Sequence, residues 1–191
     1  RDCNSYHVLI GEARVEEAIQ KTEIPGLDIL PSGVDLSGAE IELVGLERRE
    51  YCLKATLEDG AYDYDYVLID CPPALGLLTV NALVAAHAVL VPLQCEFFAL
   101  EGMSQLVKTI ERVKSAFNPE LDIQGIVLTM HDRRNNLSDQ VAEDVRRYFG
   151  DKVYKTVIPR NVRVSEAPSH GLPVMVYDLN CAGSQAYLSL A

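Results

Sequence analysis

The chain has 191 residues, carries 28 Asp and Glu against 17 Lys and Arg for a formal net charge of −11, and is 48% hydrophobic and 24% charged. That length suits one domain, residues 1–191, and that composition belongs to a folded globule and excludes a disordered or fibrous chain. The acidity argues against a wholesale nucleic-acid coat or a polybasic membrane binder and leaves room for a local basic patch.

In chain order, Ser37-Gly38-Ala39-Glu40 has capping-box spacing and predicts a helix across Ile41 to Leu46. Asp63 to Asp70 predicts a buried strand ended by a carboxylate, and Thr79 to Ala86 a short helix. Ala88 to Leu93 predicts a second strand. The apolar stretch Ala82 to Leu93, interrupted by His87, is twelve residues long. It is shorter than the ~20 residues a bilayer span needs and marks buried core. Between Leu100 and Phe117, Met103, Leu106, Val107, Ile110, Val113 and Phe117 recur at helical spacing on one face. Ile123 to Met130 predicts a third strand. A helix then opens near Asn136, buries Val141, Val145, Tyr148 and Phe149, and ends at Gly150. Lys152 to Ile158 predicts a fourth strand and Pro173 to Tyr177 a fifth. Continuous apolar strands alternating with helices predict an α/β fold around a mostly parallel sheet covered on both faces. The five cysteines, Cys3, Cys52, Cys71, Cys95 and Cys181, are scattered and form no C-x-x-C pair. They read as reduced thiols of a cytosolic protein, and the opening residues lead into no signal-peptide core.

Ligands of such sheets bind at the carboxyl ends of strands, so the residues after each apolar run are the candidates. The first run ends in Asp70-Cys71-Pro72-Pro73. A carboxylate there suits Mg²⁺, although an apolar run followed by Asp is also common without a metal. Cys71 is expected to be a buried loop thiol. After the third run come Asp132-Arg133-Arg134 and then a helix start, which is either an anion contact or a solvated turn. The fourth is followed by Arg160 and Arg163, three apart. From His131 to Arg163 there are eight Lys/Arg and five Asp/Glu, a local balance of +3, while the remainder of the chain sums to −14. Positive charge is therefore concentrated where a polyanion could dock. The four histidines show no metal-ligand spacing.

Three segments resemble the ParA/Soj chromosome-partitioning ATPases: Tyr64 to Pro73 (Y-D-Y-V-L-I-D-C-P-P), Pro92 to Gly102 (P-L-Q-C-E-F-F-A-L-E-G) and Ile158 to Ser169 (I-P-R-N-V-R-V-S-E-A-P-S). The resemblance implies a three-layer αβα, Rossmann-like P-loop NTPase fold. It further implies an ATP- and Mg²⁺-dependent homodimer that binds DNA without sequence preference, stimulated in hydrolysis by a ParB/Spo0J-type centromere-binding protein. The implied setting is the cytoplasm of a bacterium, on the nucleoid, with no membrane partner. Carried over, Asp70 is the Walker B carboxylate holding Mg²⁺ through water, and Cys71, Pro72, Pro73 and Gly76 belong to the switch loop. Met130, Asp132, Pro159, Asn161 and Glu166 are similar to positions around adenine and ribose. Arg134 and Arg163 match DNA-contacting basic residues. The related membrane ATPase MinD is disfavoured, since no basic amphipathic C-terminal helix is visible. The nitrogenase iron protein is disfavoured because Cys71 and Cys95 lack its cluster context.

Two departures from the pattern follow. No G-x-x-x-x-G-K-[ST] loop occurs in the 191 residues. The expectation is a fold lacking its first βαβ unit, about 30 residues or more, and truncated at the C-terminus as well. With no phosphate cradle, this chain alone is expected to be inactive toward ATP and to be unstable or self-associating. Second, Asp178-Leu179-Asn180-Cys181-Ala182-Gly183 stands where the family has a basic D-P-R-S-[KR]-G segment. The alternative function is a non-enzymatic pseudo-ATPase regulator that binds DNA or a protein partner.

Overall fold

A computed structural model describes residues 3–59, 63–72 and 74–191. They divide into two units, Arg1–His87 with Thr109–Leu121 and Ala88–Lys108 with Asp122–Ala191.

The first unit is built from short capped helices. Helix α1 (Ser5–Leu9) starts at Asn4, whose Oδ1 accepts from the Tyr6 amide at 2.8 Å while His7 Nδ1 accepts from the Asn4 amide at 3.3 Å. Helix α2 (Val15–Ala18) is closed by Glu17, whose carboxylate accepts from the Arg14 amide at 2.9 Å. Strands β1 (Gln20–Lys21) and β2 (Asp28–Ile29) pair antiparallel, and Lys21 joins Asp28 at 2.6 Å. Helices α3 (Leu36–Leu43), α4 (Cys52–Glu58) and α5 (Leu77–Ala85) follow, with Leu43 and Ala39 fully buried beside Leu9.

Two expectations are corrected in this unit. The helix expected across Ile41 to Leu46 runs from Leu36 to Leu43 and leaves Ile41 exposed. Its capping box does not form. Ser37 Oγ donates to the Val34 carbonyl at 2.9 Å, and Glu40 Oε1 accepts from the Leu78 amide at 3.3 Å, capping α5 instead of its own helix. The run from Asp63 to Asp70 is no strand, and Tyr66 and Leu68 are exposed. Among the described residues of this unit only β1 and β2 form a ladder. An apolar run with no neighbour to pair its backbone groups does not become a strand.

Buried amides hold the unit together. Asn81, 1% exposed, accepts from the Leu53 amide at 3.1 Å and donates to the carbonyls of Arg49 and Leu77 at 2.9 and 3.0 Å. Asn118 Nδ2 donates to the carbonyls of Leu83, Val84 and Ala86 at 3.0, 3.3 and 2.8 Å, which satisfies the C-terminal end of α5.

The second unit carries the sheet. Strands β3 (Ala88–Gln94), β4 (Asp122–His131) and β5 (Val153–Pro159) are parallel in the order β3-β4-β5. Helix α6 (Ala99–Ala116) links β3 to β4 and α7 (Asn136–Phe149) links β4 to β5. The register Val91 to Ile126 and Leu93 to Leu128 stacks apolar residues under the helices. Ile126, Leu128 and Val145 are fully buried and pack with Met103 and Val141. On the opposite face Val127 of β4 is only 3% exposed, but Leu90 of β3 is 48% exposed, so the expected cover on both faces holds at the central strand and not at β3. Helices α8 (Val162–Glu166), α9 (Val174–Tyr177) and α10 (Ala182–Leu190) complete the unit.

Three further expectations are corrected. Asn135, not Asn136, caps α7, its Oδ1 accepting from the Leu137 amide at 3.1 Å. Tyr148 is 77% exposed, because the buried arc of α7 centres on Ser138, Val145 and Phe149 and leaves residue 148 at its rim. The expected strand from Pro173 to Tyr177 is helix α9, begun by Pro173 with φ −59°. Among the described residues no helix is long and apolar enough to cross a membrane.

Candidate functional site

The second unit gathers most of the candidate residues at the carboxyl ends of its strands. Pro159 pairs with His131 in register, and the Arg160 amide donates to the His131 carbonyl at 2.9 Å, so the ends of β4 and β5 abut. The Cys95 amide donates to the Thr129 carbonyl at 3.2 Å, bringing the end of β3 to the same edge. Arg160 crosses that edge to Glu96 at 3.4 Å. Met130 and Pro159 stand at the ends of β4 and β5, Asp132, Arg134 and Asn161 in the connections that follow, and Arg163 and Glu166 in α8 directly after.

Met130 has φ +53°, a left-handed conformation that a non-glycine residue adopts at a cost of about 1–2 kcal/mol. Such strain collects where the backbone is shaped around a ligand. One residue on, His131 Nε2 lies 2.9 Å from Asp139 Oδ1 in the first turn of α7, tying the strand end to the helix. Asp132 Oδ1 then accepts from both the amide and Nε of Arg134 at 3.0 Å, and Oδ2 from Nη2 at 2.8 Å. The guanidinium and the amide of Arg134 hold the Asp132 carboxyl well below its ordinary range, and Asp132 in turn raises the pKa of Arg134.

After β5, Asn161 Oδ1 accepts from the amides of Arg163 and Val164 at 2.9 and 3.4 Å and so starts α8. Arg163 Nη1 reaches Glu166 Oε2 at 2.9 Å and its Nε reaches Asp178 Oδ2 at 3.5 Å. The Tyr177 hydroxyl donates to Glu166 Oε2 at 3.3 Å, and its ring stacks on His170 at 4.9 Å. Glu166 first, then Tyr177, raises the Arg163 pKa. A groove of ≈ 510 Å³ beside these loops is lined by His131, Arg133, Asp139, Arg146, Pro159 and Ala182, among others.

The remaining candidates belong to the first unit. Asp70, Cys71 and Pro72 are exposed. Cys71 is therefore not the buried thiol expected, and partial desolvation of its sulfur, with the Asp70 charge second, raises its pKa. Gly76 is the N-cap of α5, where a Cβ would collide with the Glu40 carboxylate. Pro73 lies outside the described residues. No group of three or more acidic, His or Cys side chains suited to direct metal ligation occurs among the described residues. The exposed Asp70 carboxylate fits a single contact to a hydrated Mg²⁺. The sequence alone did not single out Glu96, Asp139, Tyr177 or Asp178 as site residues. Only the i, i+3 spacing of Arg163 and Glu166 hinted at the pairing.

The family model described as an AAA domain matches residues 1–123. The chain is 66% identical over 193 aligned residues to the chromosome partitioning protein ParA of Caulobacter vibrioides, an alignment covering all of this chain and 72% of that relative. It is 53% identical over 186 residues to the sporulation initiation inhibitor protein Soj of Bacillus subtilis, across 97% of this chain and 74% of the relative. The solved cobyrinic acid a,c-diamide synthase of Mycobacterium smegmatis, with bound ADP and magnesium, superposes with a TM-score of 0.81 at 36% identity, covering 98% of this chain and 69% of the other. On these matches and the parallel α/β sheet, the chain belongs to the ParA/Soj family of chromosome-partitioning P-loop ATPases.

Proposed function

We propose that the carboxyl-end loops of β4 and β5 hold the base of ATP and, beside it, contact DNA without sequence preference. The observation that carries this reading is the convergence on one edge of Met130, Asp132, Pro159, Asn161 and Glu166 with Arg134 and Arg163, joined through the 2.9 Å bond from Arg160 to His131. The strained Met130 backbone and the rigid Asn161 cap suit the close approach of a flat ring. The polar side chains suit the hydroxyls of a ribose. Arg134 and Arg163, exposed and permanently charged, suit phosphates of a duplex.

Mg²⁺ would neutralise charge on the nucleotide phosphates, and Asp70 is the residue proposed to hold it through water. Cys71, Pro72, Pro73 and Gly76 would form the adjoining switch loop. Catalysis also needs a phosphate-cradling loop of the form G-x-x-x-x-G-K-[ST], which these 191 residues do not contain, so the 191-residue chain by itself is proposed to be inactive toward ATP. With that loop, the protein would act as an ATP-dependent homodimer on the bacterial nucleoid, stimulated by a ParB-type partner. The alternative reading, a non-enzymatic pseudo-ATPase regulator that binds DNA or a protein partner, differs in needing no nucleotide for DNA retention.

The test is fluorescence anisotropy of a random-sequence duplex with the protein as encoded in its genome, titrated with salt. Arg134→Glu/Arg163→Glu should weaken binding and flatten the plot of log K against log salt by roughly 0.9 for each phosphate that the variant no longer neutralises. An unchanged affinity and slope would remove both arginines from the DNA surface. ATP-dependent retention supports the ATPase reading, and nucleotide-independent retention supports the regulator.

A further inference from the structure

Each arginine proposed to meet DNA is already engaged by carboxylates of its own chain. Asp132 occupies the Nε and Nη2 edge of Arg134 at 3.0 and 2.8 Å, the same edge that a phosphate takes in a bidentate contact. The arginine side chain is 88% exposed while Asp132 is 25% exposed, so the carboxylate is the fixed partner and the guanidinium the reaching one. Arg163 is spanned by two carboxylates, Glu166 at 2.9 Å and Asp178 at 3.5 Å, and the Tyr177 hydroxyl donates to the same Glu166 oxygen at 3.3 Å. The two loops thus repeat one arrangement, a carboxylate mimicking the phosphate that the arginine would otherwise bind.

We propose that Asp132 and the Glu166–Asp178 pair are electrostatic latches on the DNA surface, which DNA phosphates must displace to reach Arg134 and Arg163. The proposal rests on the reading of these two arginines as DNA contacts. An exposed ion pair is a weak competitor, so each latch would tune affinity and not abolish it. The same carboxylates stand among the residues proposed to surround the nucleotide. Nucleotide contacts drawn from Asp132 or Glu166 would then loosen the arginines, coupling the two ligands through shared side chains.

The experiment measures affinity for a random-sequence duplex in saturating ATP and Mg²⁺, using the protein as encoded. Asp132→Asn, Glu166→Gln and Asp178→Asn should each tighten binding about two- to five-fold, the reach of one exposed ion pair. Asp178→Asn lies outside the proposed nucleotide contacts, and its amide oxygen can still accept from the Asn180 and Cys181 amides, which Asp178 Oδ1 holds at 3.1 Å. It therefore reports on the latch even where the other variants disturb nucleotide binding.

A double-mutant cycle separates the latch from general charge repulsion. In an Arg134→Ala background the gain from Asp132→Asn should vanish, and in Arg163→Ala so should the gains from Glu166→Gln and Asp178→Asn. Gains that persist in those backgrounds, or no gain in any variant, would overturn the latch while leaving the arginines as DNA contacts. Wild-type affinity in Arg134→Ala and Arg163→Ala would instead overturn the DNA assignment, and the latch with it.

Discussion

The guanidinium of Arg134 grips Asp132 at both carboxylate oxygens, Nε to Oδ1 at 3.0 Å and Nη2 to Oδ2 at 2.8 Å. Because the Arg134 amide also donates to Oδ1, three bonds join Asp132 to Arg134 within the four-residue connection between β4 and α7. A loop tied down in this way can hold the proposed base-binding backbone still while the Arg134 side chain stays 88% exposed.

That turn should leave a signature in acid. The folded Asp132 carboxyl is held below its ordinary value of 3.8, mainly by Arg134. A carboxylate depressed on folding lends stability above its unfolded pKa and loses it as pH falls through the folded pKa. The Asp132 carboxyl resonance should therefore titrate below pH 3.8, and in Arg134→Ala its midpoint should return toward that value. A wild-type midpoint at or above 3.8 would show that the pair does not persist in solution.

Much of the second unit is legible in the sequence because its strands are continuous apolar runs and its helices keep strict spacing. Val89 to Leu93 and Ile126 to Leu128 read as strands from residue pattern alone, being short continuous apolar runs rich in β-branched residues. Asp63 to Asp70 has the same character and yet forms no strand. Whether an apolar run becomes a strand depends on a neighbour to share its ladder, and no local pattern encodes that neighbour. Pro173 to Tyr177 departs from expectation for the opposite reason: a proline that fixes φ at −59° suits the start of a helix as well as the edge of a strand. Of the site, the strand-end positions are legible, Asp132 and Glu166 among them, while the ion pairs these carboxylates and Asp178 make with the arginines are not. The pairing of Asp178 with Arg163 spans fifteen residues and depends on how α8 and α9 fold back.

Ser184 should anchor this fold-back. Its hydroxyl is fully buried and lies 2.6 Å from the Asp178 carbonyl and 3.1 Å from that of Val174. Ser184→Ala removes the hydroxyl and leaves the Val174 and Asp178 carbonyls only the amides of Asp178 and Cys181, at 2.8 and 3.4 Å, and should cost about 1 kcal/mol. Denaturant unfolding at constant m-value checks this. A loss under about 0.5 kcal/mol, the range of ordinary surface changes, would show that another donor replaces the hydroxyl.

Asn118 should be comparably important in the first unit. One side-chain amide serves three carbonyls at the end of α5, a role that no apolar residue can fill. Asn118→Ala should destabilise by about 1–3 kcal/mol, and Asn118→Asp, which keeps the shape without the amide hydrogens, should do no better. Recovery of wild-type stability in Asn118→Asp would contradict the assignment of the amide as donor.

The most direct measurement is the retention of two unrelated duplex sequences by the protein as encoded, with ATP and Mg²⁺, with ADP and Mg²⁺, and with no nucleotide. A partition ATPase whose base-binding loops also carry the DNA-facing arginines should retain both duplexes equally, and strongly only with ATP. Retention that is sequence-specific, or the same in all three conditions, would contradict a nucleotide-controlled DNA surface at the ends of β4 and β5.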